Sequence, residues 1–167
     1  MAWQDEMSTI VRYLVNDTDT SNPTFSDERI ETSILVGAQL IINEIDFSKT
    51  YTISVEGGTI SPDPTASTRD NDFINLVSLR TGCIILGSEL KTQGFSALRV
   101  SDGPSSIDMS KTMDGIKIMY DEICARFEKA KMQYKTDGMV GEVILSPYSP
   151  GAAIVNRVYD SHRGQYL

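Results

Sequence analysis

Apolar residues recur at helical spacing in four separate segments of this chain, and no other feature limits its possible folds as strongly. In the second segment Ser26 is a good N-cap, and Asp27 and Glu28 follow it where the helix dipole favours negative charge. The spacing predicts a helix from about Asp27 to Ile45. Its inner stripe is predicted to be Ile30, Ile34, Ala38, Ile41 and Ile45.

The apolar residues of this second segment extend beyond one stripe. Four more widen the apolar face to most of the circumference: Leu35, Val36, Leu40 and Ile42. Such a helix is either fully internal or packs against a neighbouring subunit as well as its own core, and the sequence leaves both readings open. Gly37 in its middle costs about 1 kcal/mol relative to alanine, so we expect a close backbone crossing there.

The other three segments also predict helices. The first has its apolar face at Met7, Ile10, Val11, Leu14 and Val15. The third begins at a cap formed by Asp70 or Asn71, ends at Gly94 as a C′ glycine, and is predicted to be the central core helix. Its face holds Leu76, Leu79, Cys83, Leu86 and Leu90, with Gly82 and Gly87 as further sites of close approach. The last helix runs from roughly Met113 to Lys135, after a short strand at "ALRV" and an extended stretch.

Between the second and third helices the period changes from three or four residues to two. Tyr51, Ile53 and Val55 fall on one side, and Gly57-Gly58 supplies a turn, which predicts a β-hairpin. The predicted fold class is therefore mainly α: a small helical bundle of three to four helices with a β-hairpin insert at about 50–61 and an extended C-terminal arm. Residues 1–138 would form the helical domain and 139–167 the arm.

Composition limits the functional classes. The 167 residues suffice for one domain, and the net charge of −8 disfavours gripping nucleic-acid phosphates. No run approaches the roughly 18 apolar residues of a membrane span, so we expect a soluble protein without a membrane partner. Cys83 and Cys124 lie far apart within helical patterns, which predicts two separate buried thiols made in a reducing compartment.

The usual ingredients of an active site are missing from the sequence. Asp17, Asp19, Ser21 and Glu28 match positions 1, 3, 5 and 12 of a calcium-binding loop, but the glycine of its sharp turn is absent; a polar interhelical loop is the favoured interpretation. The one histidine, His162, lies in the tail, where a solvated or interface role is favoured over catalysis. We expect no enzyme, no cofactor and no metal.

The order of these elements resembles that of the head-tail connector proteins of tailed bacteriophages, also called adaptor or neck proteins. The resemblance covers roughly residues 5 to 135 and lies in a short helix, a polar loop, the capped helix "FSDERIETSILVGAQLI", a second long helix, an extended "DGPSSID" and a final "MYDEICARFEKAKMQYK" helix. It implies a structural virion protein, twelve copies of which form a ring between the capsid portal and the tail. The homo-oligomeric ring would act in head completion, and genomic DNA would pass through its lumen without specific binding.

The resemblance also implies partners and a location. The C-terminal arm would dock on the portal protein, the opposite face would receive a downstream neck or tail protein, and the chain would be made in the host cytoplasm and reside at the head-tail junction of the virion. Two alternatives stay open: a small helical metal-dependent hydrolase or nucleotide-processing enzyme, supported only by clustered acids, and a non-viral helical interaction module.

The arm carries the candidate partner-binding residues. These are Tyr148, Ile154, Val155, Val158 and Tyr159 for apolar contacts, and Arg157 and Arg163 for polar ones. Pro147 and Pro150 prevent a continuous helix at its start, so its backbone donors need partners elsewhere or water. Residues 154–159 are the best candidate for a strand added to a neighbour's sheet edge. The alternative is that the arm wraps back onto its own helices.

Overall fold

A computed structural model describes residues 3–66, 68–100 and 110–137 of the chain. Within them the elements are α1 (Trp3–Leu14), α2 (Asp27–Ile42), β1 (Thr52–Ser54), β2 (Thr59–Ser61), α3 (Asn71–Val100) and α4 (Ser110–Asp137). The predicted class is confirmed, because four helices packed together and a two-strand antiparallel hairpin make up the described chain.

The chain divides into two compact units, Met1–Lys131 and Met132–Leu167. The first holds α1, α2, the hairpin, α3 and most of α4. In the second, the description covers only the end of α4. The predicted domain limit at residue 138 and the arm at 139–167 lie outside the described residues.

Both predicted helix caps are present. Ser26 Oγ accepts a hydrogen bond from the Arg29 amide at 3.3 Å, which satisfies one of the orphan donors at the start of α2. Asp70 Oδ1 accepts one from the Phe73 amide at 3.0 Å and so caps α3. The starts of α2 and α3 are therefore determined locally, by side chains that accept hydrogen bonds from backbone amides of the first turn.

The core lies where α1, α2 and α3 meet. All five residues of the predicted α2 stripe are buried, together with Met7 and Val11 of α1 and Phe73 and Val77 of α3. A Cβ on Gly37 would lie 2.7 Å from Thr81 Oγ1, closer than a real Cβ approaches, so the predicted close crossing of α2 is confirmed and its partner is α3. The crossing explains why this helix tolerates a glycine in its middle.

Helix α4 approaches α3 along a second line of small residues. Cβ atoms on Gly82 and Gly87 would lie 3.2 Å from Ile123 Cγ2 and 3.1 Å from Tyr120 Cε2, which confirms the two further sites of close approach. Among the residues of α4 whose burial is described, Ile123 and Phe127 are buried.

Three sequence-based boundaries are corrected. Helix α3 does not end at Gly94 but continues to Val100, so "ALRV" is helical rather than a strand. The Gly94 Cβ position lies 3.8 Å from Met113 Cε of α4, and contact between the two helices outweighs the helix-ending preference of glycine. Helix α2 ends at Ile42 with Asn43 as its C-cap, yet Ile45 remains buried just beyond it.

The hairpin is attached to the start of α3. Ile53 pairs with Ile60 at its centre, and Gly58 at φ +64° completes the loop, as the Gly-Gly pair predicted. Tyr51 stacks on Phe73 with ring centroids 3.9 Å apart. Val55 lies in the loop after β1 and is 41% exposed, so the alternating pattern extends one residue beyond the strand.

One helix in the described part of the chain is long and apolar enough, by length and composition alone, to cross a membrane. It is the Asn71–Phe95 stretch of α3, with a mean hydropathy of 1.3. Of its most apolar window, 61% is buried inside the protein, as expected of a core helix. The absence of a membrane partner stays a prediction.

Candidate partner-binding surfaces

The predicted partner-binding residues of the arm lie outside the described residues. They are Tyr148, Ile154, Val155, Arg157, Val158, Tyr159 and Arg163. The functional groups that can be located therefore belong to the helices and the loops between them.

The loop between α1 and α2 is organised by one buried carboxylate. Asp17 is 5% exposed, and its Oδ1 accepts a hydrogen bond from the Thr24 amide at 2.8 Å. Its Oδ2 accepts a hydrogen bond from the Phe25 amide at 3.3 Å and forms an ion pair with Arg12 Nη1. The oxygen atoms that would begin a calcium-binding loop are thus already occupied by protein donors.

A second acid of that loop serves the same local purpose. Asp19 Oδ1 accepts from the Ser21 amide at 2.9 Å, which closes an Asx turn. Arg12 Nη2 donates to Phe25 O at 2.9 Å and to Asp27 Oδ1 at 2.6 Å, so the guanidinium ties α1 to the start of α2. Within the described ranges no group of three His, Cys, Asp or Glu side chains is placed to hold a metal ion. The contacts of Asp17 and Asp19 are those of a polar interhelical loop, and the absence of a metal stays a prediction.

A second charged cluster connects three helices. Glu44, just after α2, forms ion pairs with Arg80 of α3 through Oε1 at 3.4 Å and with Lys131 of α4 through Oε2. The cationic groups of Arg80 and Lys131 also lie 5.2 and 5.7 Å from the ring centroid of Phe127. Opposite charges and an aromatic face attract one another here, so this cluster holds the helices together.

The two cysteines are adjacent in space. Cys83 of α3 and Cys124 of α4 form a disulfide, with Cα atoms 5.5 Å apart, so the prediction of two separate buried thiols is wrong. The missed signal was that both lie beside residues of the α3–α4 contact, Gly82 and Ile123. Sequence periodicity placed each cysteine on its helix but gave no register between the two helices.

Several large apolar side chains face solvent on the helices. Those exposed in the described part of the first unit are Tyr13 on α1 (73%), Leu40 on α2 (40%), Phe95 on α3 (72%) and Ile118 on α4 (67%). Leu40 lies on the widened apolar face of α2 predicted from the sequence. The described residues therefore cover this face only in part.

Comparison with known proteins adds no relative: no family matches the sequence, and neither a curated protein nor a solved structure matches it. The described residues define a mainly α protein whose charged loops and clusters serve its own folding and whose helices expose apolar side chains. The resemblance to head-tail connectors stays a prediction.

Proposed function

We propose that this chain is a structural virion protein that forms a ring between the capsid portal and the tail of a bacteriophage. The observation that carries the proposal is the partial exposure of the apolar face of α2, with Leu40 40% exposed. A structural subunit buries such a face against neighbours during assembly. The buried carboxylate of Asp17 accepts hydrogen bonds from two backbone amides and from Arg12, which suits a structural role.

The charge of the chain supports the same proposal. A net charge of −8 gives a ring of copies an acidic character, and acidic walls repel DNA phosphates. DNA can then move through the lumen without being retained, whereas a basic lumen would bind it. In this proposal the protein is not an enzyme and needs no cofactor.

The arm supplies the docking element of the proposal. Ending the chain after Leu145 removes all seven candidate arm residues and leaves every described element intact. We expect the truncated protein to keep the circular dichroism spectrum and thermal unfolding of the full chain. We expect it to be absent from purified virions, as measured by mass spectrometry, because the arm provides the contacts with the portal.

A shorter truncation is the matched control. Removing only Gln165, Tyr166 and Leu167 keeps the seven candidate residues, so this variant should enter virions at the level of the full chain. Normal incorporation of the long truncation would refute the role of the arm. Electron microscopy of the full chain mixed with the portal protein of the same genome tests the ring itself, and failure to form a ring on the portal would refute the function.

A further inference from the structure

Helix α2 carries a long stretch without charge on its outer face. From Thr32 to Asn43 no residue is charged, and the nearest charged residues are Glu31 and Glu44. Since 23% of the chain is charged, twelve positions would carry roughly three charges on average. A helix on the surface of a globular protein normally places such residues on its solvent side.

The outward-facing members of this stretch form one strip. At 100° per residue, five side chains lie within about 100° of one another around the helix. They are Thr32, Val36, Gln39, Leu40 and Asn43, of which Thr32, Leu40 and Asn43 are exposed and Val36 and Gln39 are half-buried. We call this set the α2 strip. Its opposite side, with Ile34, Ala38 and Ile41, is buried in the protein's own core.

We infer that the α2 strip is the contact surface for a second copy of this chain. Two molecules of net charge −8 repel each other, and contact is least unfavourable where neither acid nor base has to be desolvated. The strip offers such a place, with apolar contact from Val36 and Leu40 and amide groups from Gln39 and Asn43. A strongly basic partner would instead gain its affinity from acidic side chains, which the strip lacks.

The size of the strip limits its affinity. The stretch from Thr32 to the C-cap Asn43 extends about 17 Å, so the strip alone buries much less than the roughly 800 Å² per partner of a standard stable interface. Association in solution is therefore weak and dependent on concentration. It becomes strong where neighbouring copies are held side by side on a common partner, because the effective concentration is then high. The inference rests on the proposed function, since a ring needs contacts between copies.

Sedimentation velocity of the full chain at concentrations up to about 1 mM tests the inference, because weak contacts are still detected there. We expect the weight-average sedimentation coefficient of the natural sequence to rise with concentration. Leu40→Glu and Thr32→Glu should each weaken the association at least about tenfold, because each places a charge in the contact. Thr32 is exposed, so its variant tests the strip even if Leu40→Glu unfolds.

Tyr13→Glu is the matched control. It adds the same charge at an exposed aromatic residue of α1, outside the strip, and should associate like the natural sequence. Thermal unfolding of each dilute variant verifies its fold. A natural sequence that is monomeric throughout, folded strip variants that associate normally, or equal weakening by Tyr13→Glu would each overturn the inference.

These readouts separate the inference from the proposed function. Loss of association in Leu40→Glu and Thr32→Glu, combined with absence of the natural protein from virions, would support the strip and refute the function. Normal incorporation of both strip variants into virions, combined with unchanged association, would refute the strip and leave the function standing.

Discussion

Asp17 fixes the corner between α1 and α2. It is a buried carboxylate whose oxygen atoms accept from two backbone amides and from Arg12. Removing a buried acid of this kind is costly, because each amide or guanidinium that loses its acceptor stays buried without a hydrogen bond and its desolvation is no longer compensated. The corner therefore depends on one side chain more than on the other acids of the same loop.

We expect Asp17→Ala to lower the free energy of unfolding by about 3 kcal/mol, since it leaves the Thr24 and Phe25 amides without their acceptor and Arg12 without one of its acids. Urea denaturation measures this change. Asp19→Ala is the control, because Asp19 is exposed and holds only a local turn; its loss should stay below about 1 kcal/mol. Equal losses would contradict the central place of Asp17.

At this scale the sequence predicts what depends on near neighbours. Ser26 was identified as a cap, and the second cap was narrowed to Asp70 or Asn71, because a cap needs only its own helix; the structure shows Asp70 in that role. The spacing of Asp17, Asp19 and Glu28 resembles a calcium-binding loop, but it does not reveal that Arg12, in the last turn of α1, forms an ion pair with Asp17. Arg12 lies outside the loop, so the loop's own spacing could not predict this contact.

At the scale of elements, α2 and α3 each contain a glycine that the sequence analysis had to interpret, Gly37 in α2 and Gly94 in α3. Gly37 was recognised in the sequence as a cost that a close crossing would offset, and α3 supplies that crossing. Gly94 was interpreted as a helix end, and this was wrong because Met113 of α4 lies beside it and the helix continues. A glycine in a helical pattern can mark either a close crossing within the helix or the end of the helix, and the sequence alone does not distinguish the two.

We expect Gly37→Ala to reduce the free energy of unfolding by about 1–2 kcal/mol. The added methyl group would lie 2.7 Å from the buried Thr81 Oγ1, so α2 and α3 must move apart. The packing free energy lost by this movement exceeds the gain in helix propensity. Thermal or chemical unfolding measures the difference.

Gly115→Ala is the matched control within α4. Nothing lies within 4 Å of its Cβ position, so the substitution should stabilise the protein by up to about 1 kcal/mol. Adding Thr81→Ala to Gly37→Ala should recover part of the loss, since it removes the oxygen that clashes. If Gly37→Ala and Gly115→Ala had the same effect, the crossing would not be as close as described.

For the whole molecule, the covalent constraint among the described residues is the bond between Cys83 and Cys124, which are 41 residues apart in sequence. Closing a loop of that length in the unfolded chain is expected to stabilise the fold by about 2–4 kcal/mol. We therefore expect dithiothreitol to lower the unfolding temperature of oxidised protein by roughly 5–15 °C. Differential scanning calorimetry measures the shift.

The double variant Cys83→Ser/Cys124→Ser provides the control for a general effect of the reductant, because its unfolding temperature should not change with dithiothreitol. Mass spectrometry with thiol alkylation should find no free thiol in the oxidised natural protein. Two free thiols together with an unchanged unfolding temperature would show that the bond does not form.

Long-range arrangement is what the sequence left undetermined. Each apolar face was located by its period, and the helices and hairpin follow from local patterns. The register of α3 against α4, which brings Cys83 to Cys124, and the meeting of Glu44 with Arg80 and Lys131 depend on packing between segments far apart in the chain. The candidate residues of the arm stay predictions, since they lie outside the described residues.

The carboxylate of Asp70 serves two elements at once. Its Oδ1 receives the Phe73 amide, and its Oδ2 receives the Tyr51 hydroxyl at 2.8 Å, so the cap of α3 is also the anchor of the chain that enters the hairpin. Deleting residues 50–61, which include Tyr51, would therefore leave Asp70 Oδ2 without this donor and remove a ring that stacks on Phe73. The insert and the start of α3 are thus coupled through one tyrosine and one carboxylate, so a chain shortened at the hairpin would need a new partner for Asp70 and a new cover for Phe73.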